Sequence, residues 1–381
     1  MTLFLVIFLS IYGSLHLYAF MKARSALRFG AGRGAVLGLF MSLMVFVPIM
    51  IRQSERLGLE GVARYMSYIG YIWMGLLFIF ISLSLLIDIF RLAVWLSGRV
   101  FRLEISGIMP SAKLSFFLPA VFALAIGVYG YFEAGAVRTE QLVIKTTKIP
   151  KDNNRFRIVQ ISDVHLGLIV GEERLRKIMK EVRSAAPDLL VSTGDLVDGQ
   201  LDGLNGLAEL LKGIDAPYGK FAIPGNHEYY AGFDQSAEFI RESGFRLLKG
   251  EAVNIPGIIN IAGVDDPAAR RFGLYTGIPE KNIFSALDEK QFTLLLKHRP
   301  LINKGSIGMF DLQLSGHTHR GQIFPFKFIV RLFFSRISGY FDLKGNSHLY
   351  VSRGTGTWGP PIRFLSPPEV TVIDLVRESE Y

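Results

Sequence analysis

The 381-residue sequence contains no cysteine. Disulfide bonds, thiolate metal sites and a cysteine nucleophile are therefore excluded together. The absence leaves the compartment open, because a chain without thiols is equally stable on the oxidising and the reducing side of a membrane. Any metal site in this chain must use histidine, carboxylate or amide ligands.

Charge is scarce and unevenly placed: 20% of residues are charged, and the net charge is +9. Residues 1–150 hold 14 Lys/Arg against 6 Asp/Glu, whereas residues 151–381 hold 28 against 27. The C-terminal part thus lacks the basic excess of a nucleic-acid-binding surface, and we expect no nucleic-acid partner. An apolar content of 50% and a mean hydropathy of +0.33 also exclude a disordered chain.

Long uncharged runs dominate the first third of the chain. A single run of this kind could be a core helix, and the first could be a signal peptide, although it lacks a basic start and a clear cleavage site. Four in succession, each close to the roughly 20 residues that cross a bilayer, predict an integral protein of the cell membrane with a membrane domain at residues 1–133. The runs are Met1–Met21, Gly34–Ile51, Tyr65–Ile87 and Leu114–Phe132.

Basic residues in the loops suggest an orientation for these helices. The loops on one side carry eight Lys/Arg and those on the other side carry seven, so the count alone is nearly balanced. The first loop, however, is purely basic and follows an uncharged N-terminus; it contains Lys22, Arg24, Arg28 and Arg33. Because basic loops tend to stay in the cytoplasm, we expect the domain that follows the fourth helix to lie outside it.

The hydrophobic pattern changes after a linker at residues 134–154. From there to residue 381, short apolar runs alternate with helical faces, which is typical of an α/β domain with a central sheet. The predicted helical faces are Leu175, Ile178, Met179 and Val182, and Leu204, Leu207, Leu211 and Ile214. The predicted strands are Arg157–Ser162, Asp188–Thr193, Lys220–Ile223, Ala252–Ala262, Leu294–Lys297, Leu312–Ser315, His348–Ser352 and Val370–Leu375.

Five predicted strands end in a cluster of side chains that can bind metal. Five of the seven histidines of the chain lie in these clusters. Each cluster alone is weak evidence for a metal site, because a solvated turn explains an Asp-x-His or a Gly-Asn-His motif equally well. The five together favour a functional site. They are Asp163-Val-His165, Gly194-Asp195-Leu-Val-Asp198, Gly225-Asn226-His227-Glu228, Lys297-His298 and Gly316-His317-Thr-His319.

Residue spacing explains how the clusters could share one site. In extended chain, residues i and i+2 point the same way, so Asp163 with His165, and His317 with His319, can ligate as pairs. Carboxylate, imidazole and amide ligands without thiolate suit divalent ions such as Mn, Fe or Zn, of which we favour Mn.

The order of these motifs resembles the calcineurin-like metallophosphoesterases over about residues 155–376. The run from Ser352 to Glu369 is similar to the membrane-associated or exported bacterial branch of that family. The resemblance implies a four-layer α/β/β/α sandwich, here preceded by four transmembrane helices, with a dinuclear site between the sheet edges.

The resemblance also implies a role for each residue. Asp195 would bridge the two ions, and His227 would protonate or steady the leaving oxygen, so these are the two catalytic residues. By its own position, Asp198 is expected to orient a histidine or to close the turn rather than to bind metal. The metal ligands would be Asp163, His165 and His319 on one ion, Asn226, His298 and His317 on the other, and Asp195 on both.

The expected function is therefore a membrane-anchored phosphodiesterase or pyrophosphatase of lipid metabolism, acting on a lipid-linked phosphoester. One alternative is a UDP-2,3-diacylglucosamine-type pyrophosphatase, although that substrate faces the cytoplasm and conflicts with the expected orientation. Another is a non-catalytic scaffold of the same fold, which would be expected to lose ligands, whereas here every ligand position is filled.

Residues 323–338, directly after the last cluster, contain five Phe and three basic residues. The simple interpretation is a core strand or helix. The interleaving of Lys327, Arg331 and Arg336 with aromatic residues also fits a segment that docks the domain onto the bilayer beside the active site.

Overall fold

A computed structural model describes residues 2–102, 106–149, 154–199 and 206–378. The chain divides into two compact units. The first comprises Met1–Phe132 with Gly359–Ile362, and the second comprises Glu133–Trp358 with Arg363–Tyr381. Each unit is described by itself.

The first unit contains four helices that are long and apolar enough to cross a membrane. This confirms the four helices predicted from the uncharged runs. The third extends well beyond its apolar run and ends where Arg102 adopts a left-handed conformation, with φ of 53°. The helices are α1 Thr2–Leu27, α2 Ala31–Arg56, α3 Glu60–Phe101 and α4 Leu114–Gly135.

Polar side chains within these apolar helices are paired with one another. The Tyr18 hydroxyl donates to the Asp88 carboxylate at 2.6 Å, and Lys22 forms an ion pair with the same carboxylate, which joins α1 to α3. The Trp73 indole N–H donates to Nε2 of His16 at 2.9 Å. Paired polar groups are tolerated in a bilayer, so these contacts are consistent with a role in holding the helices together.

The second unit is built on two six-stranded sheets. The strands of the first sheet are β1 Arg138–Thr146, β2 Arg155–Ile161, β3 Leu189–Ser192, β4 Lys220–Ala222, β5 Arg246–Leu247 and β12 Glu369–Arg377. The strands of the second sheet are β6 Glu251–Ile255, β7 Ile259–Gly263, β8 Phe292–Leu296, β9 Leu312–Ser315, β10 Gly339–Asp342 and β11 His348–Val351.

The strand order places several carboxyl ends at one edge of each sheet. The first sheet has the order β1-β12-β2-β3-β4-β5, in which β2 to β5 are parallel. The second has the order β10-β11-β9-β8-β7-β6, in which β11, β9, β8 and β7 are parallel. Ligands typically bind beyond the carboxyl ends of such strands.

The two sheets face each other across one hydrophobic core. Its buried side chains come from both sheets and include Ile158 and Val191 from the first and Leu294 and Leu314 from the second. A second cluster lies on the other side of the second sheet. With helices on the outer faces, the unit is the predicted four-layer α/β/β/α sandwich. Its helices are α5 Glu172–Ala185, α6 Leu207–Lys212, α7 Asn226–Ala231, α8 Phe233–Glu242, α9 Glu280–Phe284 and α10 Lys327–Phe333.

Several strands differ from their predicted extent. The run Ala252–Ala262 is a hairpin rather than one strand, because the chain turns at Gly257, whose φ is +76°. Within the predicted linker 134–154, β1 forms nine residues of edge strand paired in parallel with β12. Leu204, predicted on a helical face with Leu207, lies outside the described residues.

Candidate metal centre

The carboxyl ends of five strands deliver the residues that the sequence analysis selected. After β2 the chain reaches Asp163 and His165, and after β3 it reaches Asp195 and Asp198. Asn226 and His227 follow β4, His298 follows β8, and His317 and His319 follow β9. The structure brings all eight of the predicted metal-binding and catalytic residues together, and most of them are buried.

One group of ligand atoms is formed by Asp163, His165 and His319. The two imidazoles present their Nε2 atoms to each other at 3.0 Å, and Oδ1 of Asp163 lies 3.5 Å from Nε2 of His319. Two nitrogen lone pairs facing each other repel unless a proton or a cation lies between them. A shared proton or a bound cation can therefore occupy this point.

A second group surrounds Nε2 of His298. That atom lies 3.1 Å from Nδ1 of His317, 3.3 Å from Oδ1 of Asn226 and 3.2 Å from Oδ2 of Asp195. The other ring nitrogen of His298 contacts the Thr193 carbonyl at 2.8 Å. A proton on Nδ1 would be held by that carbonyl, which leaves the lone pair of Nε2 pointing into the group.

Asp195 lies between the two groups. Its Oδ2 atom is 3.2 Å from Nε2 of His298 in one group and 3.9 Å from Nε2 of His165 in the other. Its Oδ1 atom accepts the backbone N–H of His227 at 2.8 Å, which fixes the orientation of the carboxylate. A single carboxylate oxygen of Asp195 therefore faces both groups of ligand atoms.

His227 lies beside the first group, with its ring 4.6 Å from the ring of His165. Its Nδ1 atom is 2.9 Å from Oδ1 of Asp198, and the same carboxylate oxygen is 3.4 Å from Nδ1 of His165. Asp198 therefore contacts two imidazoles on the side away from the ligand atoms. This leaves Nε2 of His227 as the nitrogen that can face a substrate.

The backbone at the ligand positions is unusual. Asp163, His165, Asp195, His317 and His319 all have positive φ, between 45° and 71°. The left-handed region costs most residues other than glycine roughly 1–3 kcal/mol, and such strain concentrates at functional sites. The fold thus maintains an unfavourable backbone at five neighbouring positions, which is consistent with a site selected for its chemistry.

Close backbone approach explains two of the glycines that precede the ligands, Gly316 before His317 and Gly225 before Asn226. A Cβ on Gly316 would collide with the Asp163 carboxylate and the Ser162 hydroxyl. A Cβ on Gly225 would collide with the Asp195 carboxylate. Only glycine fits where one turn passes directly over a ligand of another strand.

The electrostatics of the cluster divide the histidines into two kinds. Burial lowers the pKa of His298 and of His227, but nearby carboxylates, Asp195 for both and Asp198 also for His227, more than offset this and raise each pKa to about 10. Burial lowers the pKa of His317 and of His319 well below the usual value. The neighbouring histidines, His298 beside His317 and His165 beside His319, lower it further. Neutral imidazoles carry the free lone pair that a metal needs.

The donor set fits divalent metal. Three oxygen or nitrogen atoms in each group lie within 4.8 Å of one another, at buried positions except for the half-buried His317. Imidazole, carboxylate and amide donors are the ligands that Mn, Fe and Zn accept. The residues can therefore hold metal without a change in the fold.

Two buried residues without an assigned role in the sequence analysis support the site. Glu228 accepts four backbone N–H groups, including those of Asp195 and Gly225. Arg363 is fully buried and donates to several carbonyls, and its Nη2 atom lies 3.1 Å from Nδ1 of His319. The Gly-Asn-His-Glu motif pointed to the first residue, but a buried arginine has no signal in a single sequence.

Aromatic side chains form a rim around the ligand cluster. The rings of Tyr230 and Trp358 lie 5.5 and 6.0 Å from the ring of His227, and both side chains are about half exposed. On the other side, the ring of Phe334 lies 5.1 Å from the ring of His317. The approach to the site is therefore lined by apolar surface.

Sequence comparison assigns this site to a family. A profile described as "Calcineurin-like phosphoesterase" matches residues 156–321, which contain all eight residues of the cluster. A metallophosphoesterase of Aquifex aeolicus is 42% identical over 254 residues, which are 66% of this chain and 97% of that protein. The chain belongs to the calcineurin-like metallophosphoesterases, and it is a phosphoesterase hydrolase.

Two further relatives extend into the membrane domain or are named for one. A metallophosphoesterase of Campylobacter jejuni is 30% identical over 341 residues, covering 87% of this chain and 88% of that protein. A "Transmembrane protein with metallophosphoesterase domain" of Danio rerio is 32% identical over 271 residues, covering 68% of this chain and 62% of its own length. These matches support membrane association of the present chain.

Proposed function

We propose that this phosphoesterase uses two divalent ions to hydrolyse a phosphodiester or pyrophosphate, and that its substrate is linked to a lipid. The observation that carries the two-ion proposal is the position of Asp195, whose Oδ2 atom faces both groups of ligand atoms. In this proposal Asp163, His165 and His319 hold one ion, Asn226, His298 and His317 hold the other, and Asp195 binds both.

The metal ions would supply two things when bound: a water with a lowered pKa and neutralisation of the phosphate charge. The rest of the chemistry falls to the residues of the chain. Asn226 contributes a neutral oxygen, which adds no negative charge to repel the substrate. His227 donates a proton from Nε2 to the leaving oxygen, while Asp198 holds its Nδ1 atom.

Two features support a lipid substrate. The chain contains four helices that are able to cross a membrane, and only residues 136 and 137 separate the last of them from β1. The phosphoesterase domain is therefore tethered close to a bilayer surface. The rim formed by Tyr230, Trp358 and Phe334 also offers apolar contacts to a substrate with hydrocarbon chains.

Hydrolysis of bis-p-nitrophenyl phosphate by the full-length chain in detergent tests the metal chemistry. Activity should require added divalent metal, with Mn²⁺ most effective. Asp195→Asn should lower the rate by roughly 100-fold or more, because even a residue that only supports a metal ligand typically contributes 10- to 100-fold. His227→Ala should retain the metal content and lose turnover. Asp215→Asn, an exposed site, is the matched control.

Two results would contradict the assignment. An Asp195→Asn enzyme with the same rate and metal content as the parent would show that Asp195 is not a ligand shared by two ions. A His227→Ala enzyme that has lost its metal would show that this residue binds metal and is not the proton donor.

The proposal places the phosphoesterase domain outside the cytoplasm, on the basis of the purely basic loop between α1 and α2. Alkaline phosphatase fused after residue 381 should be active, and a fluorescent protein that folds only in the cytoplasm should stay dark. The reverse pattern would overturn this orientation and make a cytoplasmic sugar-nucleotide lipid the better substrate.

A further inference from the structure

The segment between the last ligand cluster and β10 contains an exposed apolar helix. Helix α10 spans seven residues, and none of them is buried. Leu332 and Phe333 are 81% and 74% exposed. The segment is fixed at both ends, however, because Ile323 and Ile337 are buried. The interpretation of this segment as a core strand or helix is therefore wrong for α10 and holds only for the two ends of the segment.

The exposed residues of α10 form an amphipathic surface. Phe328 and Leu332 are four residues apart, as are Ile329 and Phe333, so these four side chains share one face. The basic residues Lys327 and Arg331 are also four apart and lie on another face. Residues 323–338 contain no acidic residue.

We propose that α10 lies in the headgroup region of an anionic lipid bilayer. A short helix with Phe and Leu on one face and Lys and Arg on another is typical of interfacial segments. A bilayer is the expected partner because the same chain contains four helices able to cross a membrane, and only two residues connect the last of them, α4, to β1. The absence of acidic residues in 323–338 favours anionic lipid over a basic partner protein.

The position of α10 connects this surface to the metal centre. Phe334 follows the helix directly, and its ring lies 5.1 Å from the ring of His317. A bilayer that contacts Leu332 and Phe333 would thus lie next to the ligand cluster. This extension rests on the proposed function, because it explains how a lipid-linked phosphoester reaches the metals. Phe334 belongs to the site and is left unchanged in the tests below.

The cysteine-free chain permits a depth measurement without background labelling. Phe333→Cys is introduced into the full-length protein, labelled with an environment-sensitive fluorophore and reconstituted in phosphatidylcholine vesicles with or without phosphatidylglycerol. The matched control is Met309→Cys, at a site that is 45% exposed and precedes β9, whereas the ligands follow the other end of that strand.

Quenching by iodide equilibrated across the bilayer, and by doxyl lipids, reports the depth of each label. At position 333, iodide quenching should be roughly threefold or more weaker than at position 309, and doxyl lipids should quench the label. Equal iodide quenching at both positions would overturn the proposal. Protection from iodide without quenching by doxyl lipids would also overturn it, and would indicate a protein partner or a second copy.

The basic face is tested in the same experiment. The charge variant Lys327→Gln/Arg331→Gln, labelled at position 333, should lose most of the extra protection that phosphatidylglycerol provides. Unchanged protection would contradict the choice of anionic lipid. Neither readout depends on turnover, so an enzyme inactive on the soluble diester would refute the proposed function alone and leave the docking result standing.

Discussion

Replacing Glu228 by glutamine should damage the metal centre without removing any proposed ligand. The side chain of Glu228 is fully buried. Its Oε1 atom accepts the N–H groups of Leu196 and Val197 at 2.7 and 3.3 Å, and its Oε2 atom accepts those of Gly225 and Asp195 at 2.7 and 3.0 Å. The carboxylate thereby joins the turn after β3 to the turn after β4.

The size of the effect follows from the geometry. Glutamine has the same shape, but its amide nitrogen donates and cannot accept, so in either orientation two buried N–H groups lose their acceptor. Each such group costs about 1–3 kcal/mol, which gives a destabilisation of about 2–6 kcal/mol. Typical domains are stable by about 5–15 kcal/mol, so the loss is substantial. Asp195 is carried by the same turn, and Mn²⁺ affinity should fall roughly 10- to 100-fold.

Urea unfolding of the full-length chain in detergent, followed by pulse proteolysis of the phosphoesterase domain, measures the stability change. Isothermal titration with Mn²⁺ measures the affinity. The control is Glu173→Gln, the same chemical change at a side chain that is 86% exposed, where we expect no measurable loss of stability. If Glu228→Gln matches this control in both measurements, the four N–H contacts do not hold the two turns together.

Three further predictions follow from the same geometry. Gly316→Ala should abolish metal binding, measured as metal content, because its Cβ would displace the Asp163 carboxylate. Arg363→Met should lower the free energy of unfolding in urea by about 3–5 kcal/mol, because it leaves several buried carbonyls unpaired. Mn²⁺ affinity should rise with pH up to about 10, where His298, protonated because of Asp195, loses its proton. Proton release measured by calorimetry in several buffers would show this, and the absence of release would contradict it.

The ligand cluster was predictable from the sequence because each ligand motif directly follows an apolar run that predicts a strand. Two ligand pairs occupy alternate positions after an apolar run, Asp163 with His165 and His317 with His319. The extended chain that we assumed for these pairs was wrong, because all four residues have positive φ. Parallel strands bring such ends to one edge of a sheet. Once the strands are recognised, the side chains that follow them are therefore expected to lie close together. The five positive φ values were not predictable, because aspartate and histidine adopt the left-handed region only when their surroundings enforce it.

The features that the sequence did not reveal depend on distant partners. Strand β1 has the sequence RTEQLVIKT, in which polar and apolar residues do not alternate. It pairs with β12, more than 200 residues later, and no local pattern predicts that pairing. Arg363 is buried among backbone carbonyls of its own loop, whereas an arginine is normally expected at the surface. Both depend on the completed fold for their environment.

Residues 323–338 show how burial decides between two interpretations of one composition. Phenylalanine suits a protein core and a lipid interface equally, because both remove the ring from water, so composition alone could not choose. The structure buries Ile323 and Ile337 and exposes Leu332 and Phe333 between them. On a freely diffusing protein such a surface would promote aggregation. On a chain with four helices long and apolar enough to cross a membrane, the same exposure is what the proposed docking of α10 onto lipid requires.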